Sequence, residues 1–172
     1  MISCKAQQEK QRIVNTIAFI IKNGLILLGM KKVRLGAGRF NGFGGHRESN
    51  ETIEEAATRE FLEETSSSKK NLDGIKVRSL IEVGYLEFRF RDTPEFDNDC
   101  HIFLIKEWEG RARESDEMIP KWVAIDEIPY DLMWQSDRRW LPTLLDGEKF
   151  RGWFLYDSPE SGQLLDYKLE KL

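Results

Sequence analysis

The sequence predicts an α+β protein with a mixed β-sheet and two main helices. Three observations carry this expectation. Short β-branched and apolar runs recur along the chain, punctuated by turn residues. The spacing Thr52-x-x-Glu55 is that of a capping box and opens one amphipathic helical pattern. A second helical pattern falls within 134–145. At 172 residues and 40% hydrophobic content, the chain is long enough to bury one sizeable core.

Residues 1–12 are polar and mixed in charge, so a disordered extension is expected ahead of one domain over 13–172. The β-branched run 13–21 reads as a strand. Asn23-Gly24 is a hairpin turn signal, with 25–30 as the antiparallel partner. The next segment is basic and glycine-rich, with Lys31, Lys32, Arg34, Gly36, Gly38 and Arg39. Such a loop can approach phosphates closely; otherwise it is an ordinary connection solvated by its charges. In the helix, Ile53, Ala57 and Phe61 recur every four residues as a narrow apolar stripe. After a polar turn at 66–73, strands are expected at 77–83 and 85–90. The second alternates Leu86, Phe88 and Phe90 with Glu87 and Arg89. An acidic loop over 92–99 leads to a strand at 100–105, expected to return antiparallel to the previous one. A charged loop at 110–118 and a short strand at 122–125 precede the second helix. The chain closes with a hairpin: 150–156, a turn at 158–162, then 164–169.

Composition excludes several classes. A net charge of −4 argues against a polyanion-binding surface, so no nucleic-acid polymer is expected as partner. Cys4 and Cys100 are too few for a disulfide framework or a thiolate metal site, which fits a reducing compartment. No apolar run reaches membrane-spanning length, and no signal-peptide core is present, so no membrane association is expected. A cytoplasmic monomer is the expectation, with nuclear or mitochondrial residence also compatible.

The chemistry concentrates in the first helix. Glu60, Glu63 and Glu64 stand at i, i+3 and i+4, on one arc of the helix. A run of acids is ordinarily a solvated face. Held this close, however, carboxylates repel one another unless a hard divalent cation lies among them. The order Gly45, five residues, Glu51, seven residues, then Arg59-Glu60-Phe61-Leu62-Glu63-Glu64 resembles the Nudix box, G-x5-E-x7-R-E-U-x-E-E-x-G-U. Ser66 and Ser67 depart from its last glycine and apolar position. Gly29-Met30-Lys31-Lys32, the run from Gly36 to Gly45, Glu114-Ser115-Asp116-Glu117-Met118 and Met133-Trp134 extend the likeness. Together they resemble the oxidised-purine nucleoside triphosphatases, the MutT-homologue branch of the Nudix hydrolases.

That resemblance implies a Nudix α/β/α sandwich and hydrolysis of 8-oxo-dGTP-like purine nucleoside triphosphates to monophosphate and pyrophosphate, which sanitises the nucleotide pool. It implies Mg²⁺ as cofactor, with Mn²⁺ able to substitute, held by the Gly44 carbonyl, Glu60, Glu63, Glu64 and Glu117. Arg59 and Glu51 would orient loop and helix: Arg59 can pair with Glu63 or Glu55 four residues away or reach back to Glu51, and which glutamate acts as general base stays open. Thr16, Lys31, Asn41, Phe43, Gly44, Gly45, His46, Phe88, Trp134, Ser136 and Asp137 would bind substrate. Phe90 falls near the same pocket wall, and Trp140 matches a family tryptophan or is simply a core aromatic. The family places two aspartates after this tryptophan, where here stand Ser136 and Asp137. A serine is shorter and uncharged, yet both donates and accepts, which bears on base preference. Asn98 stands near where relatives carry a bulky apolar side chain. Hydrolysis of another nucleoside diphosphate derivative or a methylated purine nucleotide is the alternative enzyme reading. A non-catalytic nucleotide sensor is the third, disfavoured because all the metal acids are present.

Overall fold

The structure is a computed structural model that describes residues 12–68, 70 and 73–172. The expected extension therefore lies outside the described residues except for Arg12, whose guanidinium reaches Asp99 at 3.5 Å.

Among the described residues, two sheets and two α-helices form the body. The larger sheet has the order β1 (Ile13–Phe19), β6 (Asn98–Gly110), β5 (Ile75–Phe90), β8 (Phe150–Tyr156), β9 (Leu164–Lys171). It is mixed: β1/β6 and β5/β8 run parallel, while β5/β6 and β8/β9 run antiparallel. The smaller sheet is antiparallel, with β3 (Leu25–Lys31) paired to β2 (Ile21–Lys22), β4 (Phe40–Asn41) and β7 (Met118–Ala124). Alternation along β1 fixes what covers each face of the larger sheet. Ala18, with Ile20 and Phe103, packs on Ala57 and Phe61 of α1 (Ile53–Glu64). Phe19, with Ile102 and Leu86, packs on Trp140, Leu141 and Leu144 of α2 (Asp137–Leu145). The sheet is thus sandwiched between helices, as expected.

The expected strand over 13–21 divides at Ile20. Residues before it join β6 in the larger sheet, while the Ile20 carbonyl accepts the Leu27 N–H at 2.9 Å and hands the chain to the smaller one. Ala18, Phe19 and Ile20 are all fully buried. The apolar run 17–21 therefore records a strand covered on both faces, and only its last residue, Ile21, joins Lys22 in the hairpin arm. That hairpin turns at Asn23 and Gly24, both at positive φ (52° and 74°), the geometry an Asn-Gly pair adopts without strain. The strands expected at 77–83 and 85–90 are one, β5, with a register shift between Glu82 and Gly84. Gly84 reads as a breaker in sequence. It is there because a Cβ would stand 2.4 Å from the Phe150 ring on the neighbouring strand.

Helix α1 begins where the capping box places it. Thr52 Oγ1 accepts the Glu55 N–H at 3.2 Å, and the Glu55 carboxylate accepts the Thr52 N–H at 2.7 Å. At the far end Ser66, the departure from the box glycine, has no positive φ to relieve. It is buried, and its hydroxyl accepts the Gly74 N–H at 3.2 Å, pinning the turn that leads into β5. The serine does what this connection requires.

Candidate active site

Helix α1 is fastened to the loop before it by one arginine. The Arg59 guanidinium donates to both Glu51 carboxylate oxygens (2.9 and 2.7 Å), to the His46 carbonyl (3.0 Å) and to Glu60 (2.7 Å), with Glu63 3.8 Å away. A two-pronged arginine–carboxylate pair is directional as well as charged, so it sets loop against helix. The same hydrogen bonds hold the Glu51 carboxyl down to about 2 and raise Arg59 above its ordinary value. Glu51 accordingly stays ionised throughout the physiological range.

The glycines of that loop are there for space. A Cβ on Gly44 would lie 1.9 Å from the Thr16 carbonyl oxygen, and one on Gly45 would lie 2.5 Å from the Glu60 carboxylate. The loop runs against β1, with the Thr16 N–H donating to the Gly45 carbonyl and Ala18 and Phe43 exchanging two bonds. Gly44→Ala is expected to break this pairing, destabilise the fold by roughly 3 kcal/mol or more, and abolish turnover. Urea unfolding checks it, and wild-type stability would contradict the close approach.

Glu64 is 4% exposed and its Oε2 accepts the Gly44 N–H at 2.8 Å. Burial raises its carboxyl to about 8, against the Gly44 hydrogen bond and the nearby Lys31 charge, with Glu60 and Glu117 adding repulsion. Glu63, Glu64 and Glu117 line one small cleft together with Ser66, Ser68, Ser115 and Asp116. Glu117 is held there by the turn before β7, where its N–H and that of Met118 donate to Ser115 Oγ. Among the described residues no three acids, histidines or cysteines already close into a metal cage. The donor chemistry nonetheless fits a hard divalent cation: oxygen ligands, one of them buried at a cost that an added positive charge would offset.

Beside this cleft lies a cavity of about 320 Å³. Its walls include Phe88, Phe90, Leu35 and Trp134, and its polar groups include Thr16, Lys31, Arg39, Asn41, Asn98, Ser136 and Asp137. Gly44 and Gly45 line it too, so the cavity reaches the loop that holds Glu64 and Glu60. Trp134 is set rigidly. Arg39 stacks over its ring at 4.7 Å and donates to the Met133 carbonyl at 3.0 Å, while Gly162 of the C-terminal turn passes close to the six-membered ring of the indole. Asn41, which lines the cavity, accepts the Gly42 N–H at 2.8 Å through its amide oxygen. Thr16 Oγ1 is buried without a hydrogen-bond partner among the described residues, a polar group that a ligand in the cavity could satisfy.

Asp137 sits at the cavity floor, 3% exposed. It accepts the Trp134 N–H (3.1 Å), the Trp140 indole N–H (3.0 Å) and the Ser136 hydroxyl (3.4 Å). Burial outweighs these three donors and lifts its carboxyl to about 7. Trp140 is thus a core aromatic that also holds Asp137 in place.

Two of the residues expected to bind substrate stand elsewhere. The Phe43 ring is fully buried in the α1 core, edge-on to Phe61 at 5.2 Å and against Gly29, because an aromatic side chain gains more between helix and sheet than at a polar rim. The His46 side chain is exposed, and its contribution is the carbonyl that Arg59 grips. Conversely Asn15, Cys100 and Tyr156 line the cavity without having stood out in sequence. Each reads as an ordinary strand residue, and only the pairing of β1, β5, β6 and β8 brings them together.

The NUDIX domain pattern matches residues 11–144. The chain belongs to the NUDIX family. An oxidized purine nucleoside triphosphate hydrolase from Danio rerio is 40% identical to it over 157 residues, covering 91% of this chain and 94% of that protein. The protein of the same name from Mus musculus matches to the same extent. Among solved structures, a MutT protein from Bacillus halodurans superposes with a TM-score of 0.77 at 26% identity, covering 92% of this chain and 97% of that one. In this NUDIX chain the box spans the end of the glycine loop and all of α1, and the aromatic cavity is built by elements on either side of it. Among the described residues no helix is long and apolar enough to cross a membrane.

Proposed function

We propose that this protein is an Mg²⁺-dependent pyrophosphohydrolase of oxidised or otherwise modified purine nucleoside triphosphates, releasing nucleoside monophosphate and pyrophosphate. The observation that carries the reading is the continuity at Gly44. One face of this loop lines an aromatic cavity with buried polar groups, and its N–H holds the acid of an adjoining acidic cleft. A flat base and a triphosphate need those two environments side by side. The names borne by the Danio rerio and Mus musculus relatives support the same substrate class.

Each residue has a task in this reading. Trp134, Phe88 and Phe90 stack on the base, while Asn41 and Asp137 meet its polar edge. Lys31, at the mouth, faces phosphate oxygens. Arg59 and Glu51 keep α1 in register with the loop. Glu60, Glu63, Glu64, Glu117 and the Gly44 carbonyl would hold Mg²⁺, or Mn²⁺ in its place. When bound, the ion supplies charge against the phosphate oxygens and lowers the pKa of water. The protein acts as a monomer, a single domain over 13–172, in the cytoplasm.

Canonical and oxidised purine nucleoside triphosphates and canonical pyrimidine nucleoside triphosphates, each incubated with Mg²⁺ and assayed for both monophosphate and pyrophosphate, test the proposal. Preferred turnover of an oxidised purine with equal release of the two products is the expected result. Orthophosphate release, or a pyrimidine preferred over every purine, would overturn it.

A further inference from the structure

Four cations stand at the end of β3 and along the loop that follows it: Lys31, Lys32, Arg34 and Arg39. Two of them are committed. Lys32 Nζ donates to Glu114 at 2.8 Å and to the Ser115 carbonyl at 3.0 Å. Arg39 is held over the Trp134 ring and by the Met133 carbonyl. The other two face the acids. Lys31 lends its charge to Glu64, and Arg34 Nη1 stands 3.8 Å from Glu117 Oε2. Lys31 lines the base cavity, whereas Arg34 is not among the lining residues and reaches instead to the wall of the acidic cleft.

The backbone of Arg34 is unusual. Among the described residues, Asn23 and Arg34 are the non-glycine residues at positive φ, 52° and 61°. Asparagine visits this region readily; an arginine there crowds its own Cβ, and a glycine would not. The loop holds it in place from three sides. The Arg34 carbonyl accepts the Ala37 N–H at 3.1 Å, the Lys32 N–H donates to the Glu117 carbonyl at 2.8 Å, and Gly36 packs beside the Trp134 indole. The ion pair does not compensate for the strain, because the arginine side chain is 75% exposed and such pairs add little to stability. Strain kept without a gain in stability points to a task for the side chain. What the guanidinium offers is a planar fork of donors, which matches phosphate oxygens.

We propose that Arg34 is a phosphate-binding residue that takes the far end of the substrate's phosphate chain, the part released as pyrophosphate. The inference rests on reading the cavity and cleft as a nucleoside triphosphate site and deepens it by assigning the two ends of the chain. A phosphate chain leaving the base cavity passes Lys31 first, at the cavity wall, and then meets Arg34 beside Glu117.

Arg34→Gly removes the side chain and the strain together. Calorimetric titrations of inorganic pyrophosphate and of the nucleoside monophosphate product, each with Mg²⁺, read the two ends separately in wild type and variant. Pyrophosphate should bind the variant about 3- to 10-fold more weakly, the size of one solvent-exposed, charge-assisted contact, while monophosphate affinity stays as in wild type. KM for the triphosphate should rise by a similar factor. The thermal midpoint without Mg²⁺ should stay constant or rise by up to about 4 °C as the glycine relieves the backbone. Arg34→Lys keeps a charge without the fork and should fall between the two. Unchanged pyrophosphate affinity, or an equal loss of both ligands, overturns the proposal. So does a wild type that binds no pyrophosphate, or a lowered midpoint, which would make Arg34 a structural residue. Wild type inactive on every purine triphosphate would remove the nucleotide reading itself. Wild type active, with pyrophosphate affinity intact in Arg34→Gly, dismisses Arg34 alone.

Discussion

Glu64→Gln is expected to lower turnover by roughly 10²- to 10⁴-fold, the range for losing a group that holds the reacting proton or the charge beside it. The same substitution should leave the thermal midpoint unchanged or raise it. Glu64 is nearly buried, and its burial opposes the charged form. A glutamine keeps the oxygen that accepts the Gly44 N–H and removes the ionisable group from a neighbourhood shared with Glu60 and Glu117. Loss of activity with retained stability separates a chemical role from a structural one, because removing a merely structural group would cost both. Glu54→Gln, in the exposed first turn of the same helix, serves as control and should leave pyrophosphate release intact. Near-wild-type turnover in Glu64→Gln would dismantle the acidic cleft as the reacting end of the site.

The second large effect is expected at Asp137, and it concerns pH. Its folded carboxyl lies at about 7 against an ordinary 3.8, so between those values the folded state holds a proton that the unfolded state has released. The stability contributed by this protonated group is complete below 3.8, declines as pH rises, and is lost once pH passes about 7. The span from 3.8 to about 7 is roughly three units, each worth about 1.4 kcal/mol. Asp137→Asn removes the titration. Measured from pH 5 to 8, the variant's thermal midpoint should therefore gain on that of wild type by roughly 5–10 °C. A constant offset is expected beneath that trend, because the asparagine has one acceptor oxygen for the donors of Trp134, Trp140 and Ser136. A difference that does not change with pH would mean Asp137 is ionised throughout. In activity, the wild type should lose its relative preference among purine edges as Asp137 changes from donor to acceptor near neutrality, and the asparagine variant should not.

These two residues also mark how differently the parts of the site could be read. Glu60, Glu63 and Glu64 were legible because helical periodicity alone puts them on one arc, and Thr52 with Glu55 fixes where that helix begins. The pairing of Arg59 with Glu51 was open among several partners in sequence; a loop held by glycines against β1 brings Glu51 rather than Glu55 to the guanidinium. Phe43 stands among glycines and reads as a pocket wall, yet the core between α1 and β3 claims it. Gly84 reads as a strand break, and the Phe150 ring explains it. Tyr156 gave no signal, since an aromatic at a strand end is what a core strand ordinarily carries.

By itself the sequence determined the fold class, the capped acidic helix, the glycine loop beside it and the family these spell out. Those properties are local: they depend on period, capping and the space a glycine leaves, within one stretch of chain. Tertiary structure decided which groups share a cavity. Strand pairing set Phe88, Asn98 and Tyr156 around Ser136 and Asp137, and burial then moved Asp137 to about 7 and Glu64 to about 8. Position 66 shows both levels at once. The departure from the glycine was visible in sequence, but its reason lay in the fold, where the serine hydroxyl meets the Gly74 N–H eight residues on.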